Sequence, residues 1–196
     1  MATASSAHAA RDGGNPFLRA VGWISTVAGW ASAAMIVAAV AITCQMIFVR
    51  FVLNQSTVWQ TESVIYLMIA ATLVGLPYVQ RLRGHVNVDL IPLALKGGAR
   101  RAMFYVTMGL SILIVAIMLF YAWEFWHMAF SRGWKSDTVW GVRLWIPYLS
   151  LIVGLGLLLL QLVADTLAVM LGHDAPYGLD EPLDAAPVAR DVMEGR

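Results

Sequence analysis

The sequence predicts an all-α integral membrane protein with four transmembrane helices, and three observations predict it. Of 196 residues, 60% are hydrophobic and 13% charged, against about 45–50% and about 25% in soluble domains. Mean hydropathy is +0.71. A soluble globule of this size has too few charges to coat what its core cannot hide. Next, four stretches lack Asp, Glu, Lys and Arg: residues 20–49, 63–80, 102–123 and 144–164. A crossing helix needs about 20 apolar residues for roughly 30 Å of hydrocarbon. Last, the cations fall mostly on alternate connections, as the positive-inside rule requires. The formal net charge of +1 offers no basic field for nucleic acid. The single Cys44 excludes an intrachain disulfide and a zinc site of several thiolates.

Residues 1–15 are small and polar and are expected to be disordered. A membrane domain over 16–171 follows. Its first helix is expected near 21–49. Ala31-Ser32-Ala33 has the small-x-small look of a signal-peptidase site, but the apolar run continues to Val49, so this helix reads as an anchor. The second helix, near 57–80, reaches spanning length only if Glu62 lies inside it. The loop after it contains HVNVDLIPLAL, apolar enough for a short interfacial element on the membrane surface. The third helix is expected near 102–130 and the fourth near 144–171. Residues 172–196 carry Pro176, Pro182, Pro187 and six acidic residues and read as a disordered tail. Arg11, Arg19, Arg81, Arg83, Lys96, Arg100, Arg101, Arg190 and Arg196 fall on one side, and Arg50, Arg132, Lys135 and Arg143 on the other. Both termini are therefore expected in the cytoplasm.

The second helix carries the most information. At 100° per residue, Trp59, Glu62, Tyr66, Ala70, Leu73 and Pro77 share one stripe. A carboxylate in a span must face protein or water and have a partner. Glu62 is thus either a proton or cation site or a packing contact, with Arg50 across the short loop as the expected partner. On the fourth helix Pro147, Ser150, Gly154, Gln161 and Asp165 form a similar stripe. Ser150 with Gly154, Ser25 with Gly29 and Ala33, and Ala71 with Gly75 are small residues spaced for close helix approach. Phe120, Tyr121, Trp123, Phe125, Trp126, Phe130, Trp134, Trp140 and Trp145 read as an interfacial aromatic belt or as a docking surface for an extracytoplasmic partner. No histidine pair faces across the spans to hold haem, and Glu124 with His127 lacks further ligands for a metal. No nucleotide-binding or hydrolase motif occurs. No enzyme activity and no cofactor are expected.

The order of features resembles a known family. Arg50 ends the first helix and W-x-x-E-x-x-x-Y (Trp59, Glu62, Tyr66) opens the second, which also holds Gly75. R-x-R-G-H-V-x-V-D follows it (Arg81, Arg83, Gly84, His85, Val86, Val88, Asp89). This is similar to the small, DctQ-type membrane subunit of tripartite ATP-independent periplasmic (TRAP) transporters, over roughly residues 24–170. The resemblance implies an inner-membrane scaffold that binds the large transport subunit stably and a periplasmic solute-binding protein transiently. The system would take up organic acids such as C4-dicarboxylates, driven by an ion, usually sodium. Arg50, Trp59, Glu62, Tyr66, Gly75, Arg81, Arg83, His85, Asp89 and Gly154 are then candidates for packing or subunit contact, not for substrate binding. Arg81 and Arg83 either meet lipid phosphates or helix-end carbonyls, or serve plain positive-inside anchoring, and His85 and Asp89 are expected to tie the turn. The alternative is a membrane-anchor subunit of a respiratory or other redox complex.

Overall fold

The computed structural model describes residues 15–82 and 98–172. Four helices account for most of them: α1 (Pro16–Phe51), α2 (Val58–Arg81), α3 (Gly98–Ser131) and α4 (Trp145–Met170). All four are long and apolar enough to cross a membrane, so the chain is an all-α, multi-pass membrane protein. The expected interfacial element and both expected disordered segments, apart from residues 15 and 172, lie outside the described residues.

Each helix begins and ends for a local reason. Pro16 sits at the first turn of α1, where its missing N–H costs nothing. Helix α1 then runs 36 residues, about 54 Å at 1.5 Å per residue, well beyond the hydrocarbon thickness. Helices α1 and α3 exceed the charge-free runs because arginine is a good helix former outside hydrocarbon. Arg19 lies in α1, and Arg100 and Arg101 in the first turn of α3. Helix α3 stops at a paired cap in which Trp134 N–H donates to Ala129 O at 3.1 Å and Gly133 N–H to Phe130 O at 3.3 Å. Gly133 makes this possible with φ +62°, a conformation that a Cβ disfavours.

The packing order is α1–α2–α4–α3, with a lighter contact between α1 and α4. The start of α1 meets the end of α4 through Leu18, Val21, Ala164 and Ala168. Helix α3 is held chiefly by α4 and buries only Phe104, Ala122 and Ala129. One end of the bundle carries the start of α1 and the end of α4. The other carries the connection between α3 and α4, a short turn closed by Ser136 N–H to Val142 O at 2.8 Å and Leu144 N–H to Trp134 O at 3.0 Å. Lys135 and Arg143 face each other there as an isolated antiparallel bridge. This turn folds back over the start of α2.

Candidate functional site

The contacts between helices are the candidate site, and they begin with small side chains. Gly22, Ser25, Gly29 and Ser32 recur along α1 at alternating spacings of three and four. A Cβ on Gly29 would lie 2.5 Å from the Tyr78 ring, and one on Gly75 would lie 2.8 Å from Ser32 Oγ. Ser32 Oγ donates to Ala71 O at 2.6 Å, across the α1–α2 seam. Ser25 and Gly29 thus serve close approach as expected, but Ala33 is exposed and Ser32 takes its place. Successive steps of four residues advance 400° each, so 25, 29 and 33 drift 40° per step. Alternating three and four keeps the seam in register.

Helix α2 meets α4 at Gly154. A Cβ there would lie 2.6 Å from Leu73 O and 2.7 Å from its carbonyl carbon. Pro77, fully buried inside α2, explains why this carbonyl invites contact. It has no N–H to give the carbonyl four residues earlier, which is that of Leu73. A neighbouring helix compensates such a position in a membrane protein, and only glycine lets the α4 backbone come that near.

At the terminus end, polar side chains join three helices. Ser25 Oγ on α1 donates to Gln161 Oε1 at 2.7 Å, Gln161 Nε2 to Asp165 Oδ1 at 2.8 Å, and Gln80 Nε2 on α2 to Asp165 Oδ2 at 3.3 Å. Ser25, Gln161 and Asp165 are all buried. Arg81 adds a second strap from α2 to α1, donating to Gly22 O and to Thr26 Oγ1. The sequence places Arg81 at lipid phosphates or helix-end carbonyls; the carbonyl it meets is that of Gly22, inside α1 and not at its end. Gln80, Thr26 and Gly22 escaped the sequence reading. Gln80 sits on the Glu62 stripe five turns on, which is the signal that was there to find it.

At the hairpin end, Ser136 Oγ donates to Glu62 Oε1 at 2.8 Å, and Ser136 also lies 3.3 Å from Thr138 Oγ1. Glu62 is 8% exposed. Its expected partner, Arg50, does not pair with it: Arg50 sits on the exposed side of the last turn of α1, so nearness along the chain did not become nearness in space. Glu62 Oε2 and Gln60 Oε1 are buried without a hydrogen-bond partner among the described residues. Trp59 is 44% exposed and lies 6.5 Å from the Trp140 ring, while Tyr66 is half-buried. The aromatic group ties α3 to α4. Trp126 Nε1 donates to Trp145 O at 3.0 Å, Phe125 packs on Trp134 and Tyr148, and Phe130 packs on Trp126 and Trp145. Trp123, Phe120 and Tyr121 stay exposed.

Arg83, His85 and Asp89 lie outside the described residues. The rest forms two polar clasps, one at each end of the bundle, joined by a seam of glycine, serine and alanine. The hydroxyls of Thr43 and Thr72 along the spans are taken by carbonyls of their own helices.

Such an arrangement defines a membrane protein whose buried polar groups serve helix-to-helix packing. The family model for tripartite ATP-independent periplasmic transporters, DctQ component, matches residues 39–172, and the chain belongs to that family of small transporter subunits. The match begins about two thirds of the way along α1 and covers the other three helices. No curated protein and no solved structure matches the chain.

Proposed function

We propose that the chain is a static scaffold in a TRAP transporter of the inner membrane, with both termini in the cytoplasm. It holds the large transport subunit as a stable partner and meets the periplasmic solute-binding protein transiently. The assembled system takes up an organic acid, with C4-dicarboxylates as the leading class and sodium as the coupling ion. The chain itself carries out no catalysis and needs no cofactor. The membership in the DctQ family favours this reading over a redox-complex anchor.

One observation carries the scaffold reading. Ser25, Gln80, Gln161, Asp165 and Glu62 are all engaged in contacts between separate elements of this chain. A substrate anion at midplane needs cationic groups or helix N-termini aimed at it, usually from interrupted helices. Helices α1 to α4 run unbroken, and the arginines of the described residues stand at helix ends or in the hairpin.

The test uses proteoliposomes. The chain alone should take up no organic acid, and the chain with its large subunit and binding protein should take it up under an ion gradient. The chain should also copurify with the large subunit. Uptake by the chain alone, or failure to copurify, overturns the proposal.

A further inference from the structure

At the terminus end, an open groove of about 650 Å³ runs between the start of α1 and the end of α2, lined by Pro16, Arg19, Ala20, Trp23, Thr26 and Arg81. None of these residues is acidic. Arg19, Trp23 and Thr26 are spaced i, i+4, i+7, so they share one face of α1. The Arg81 guanidinium is held on that face by Gly22 O and Thr26 Oγ1; it also lines a smaller cavity with Asp165 on its inner side, so it is a fixed donor at the groove and Arg19 supplies the mobile charge. Arg19 is exposed and free to swing on its long stem.

The surface beside the groove changes character along α1. Trp23, Val27 and Trp30 continue the stripe towards mid-span, and they are 68%, 45% and 75% exposed. Two cations at the mouth, then an indole, then an apolar track, is the polarity of a phospholipid: phosphate, glycerol, acyl chain. Guanidinium groups suit phosphate because their donors form a planar fork. Tryptophan favours the headgroup level. The groove is many times the roughly 30 Å³ of one water, so it has room for a head group.

We propose that this groove binds the phosphodiester of an anionic phospholipid, with Arg19 and Arg81 on the phosphate and an acyl chain along Trp23, Val27 and Trp30. With both termini cytoplasmic, the lipid belongs to the cytoplasmic leaflet. That placement rests on the orientation proposed above, but the site itself does not depend on the transport role. The bound lipid adds a third strap between α1 and α2, next to the one Arg81 already makes.

The test is native mass spectrometry of the full-length chain purified in mild detergent and offered phosphatidylglycerol or phosphatidylcholine. The parent should retain one phosphatidylglycerol in preference to phosphatidylcholine. Arg19→Gln should weaken retention about five- to tenfold, on the scale of about 1 kcal/mol per basic residue near an anionic lipid surface. Trp23→Ala should also weaken it. Arg101→Gln, an exposed arginine at the same end of the bundle, should leave it unchanged. Arg19 makes no packing contact in the bundle core, so its variant should keep the parent's helical circular dichroism. The proposal is overturned if the parent retains no phosphatidylglycerol, or if Arg19→Gln retains it undiminished. It is equally overturned if Arg101→Gln loses as much, which indicates diffuse surface charge, or if millimolar inorganic phosphate displaces the lipid, which indicates a free-anion site. Lipid retention is read without the large subunit or any substrate, so its failure leaves the scaffold proposal standing, and the reverse holds too.

Discussion

Ser136 reaches Glu62 from 74 positions away, and the chemistry of that one bond decides what substitutions should cost. Ser136→Ala leaves both oxygens of a buried carboxylate without a donor among the described residues, and stranding such a group costs about 1–3 kcal/mol. Glu62→Gln keeps an acceptor for the serine hydroxyl and removes the charge, so it should cost less than about 1 kcal/mol. Thermal unfolding of the purified chain in detergent should rank them in that order, and equal losses contradict the assignment. Gln161 is the matching residue at the other end, accepting from Ser25 and donating to Asp165. Gln161→Leu takes the acceptor from the buried Ser25 hydroxyl and one donor from Asp165, which keeps Gln80, and should destabilise by about 1–3 kcal/mol. Adding Ser25→Ala should then cost less than it does alone, because the two residues share one bond. The sequence marked Glu62, Gln161 and Asp165 as polar groups on packed stripes, since a span admits them only with partners. Glu62's partner was not legible. A serine in a hairpin looks like any loop serine, and charge together with chain proximity pointed to Arg50.

The helices were more legible than the contacts between them. Charge-free runs locate crossings because hydrocarbon excludes charge, and α2 and α4 fall within one residue of the expected bounds at both ends. Helices α1 and α3 start earlier because helix formation continues through arginines outside the membrane. The small-residue seam was half legible: Ser25, Gly29, Ala71, Gly75 and Gly154 were found, while Ser32 was hidden by a repeat of four that helix geometry does not sustain. Gly154 and Gly156, two residues apart on α4, separate packing from propensity. A Cβ on Gly154 meets the backbone of Leu73, which cannot swing aside, whereas a Cβ on Gly156 meets nothing within 4 Å. Gly154→Ala should destabilise by about 1–3 kcal/mol through overpacking. Gly156→Ala should be neutral or stabilising by up to about 1 kcal/mol. Parallel unfolding curves in detergent check the pair, and similar losses at both positions contradict the α2–α4 contact.

Helices α1, α2 and α4 pack on one another, and α3 is covered least: its spanning window is 6% buried against 17–22% for the others. A helix so little covered by its own chain suits a protein that adds surface to a larger assembly. Its proposed setting in the membrane rests on the cations: nine of the thirteen Lys and Arg lie in the sequence before the apolar run of α1, between the spans of α2 and α3, or after α4. A cytoplasmic reporter fused after Arg196 should therefore be active and a periplasmic one silent, and the reverse pattern contradicts the orientation. As a scaffold, the chain is proposed to support transport without choosing what is transported. The most direct measurement pairs this chain with the large subunit and binding protein of a related system that takes up a different acid, and assays uptake of both acids in proteoliposomes. A scaffold should give an active hybrid that takes up the acid of the large subunit and binding protein. Uptake that follows the acid of this chain's own system would contradict it.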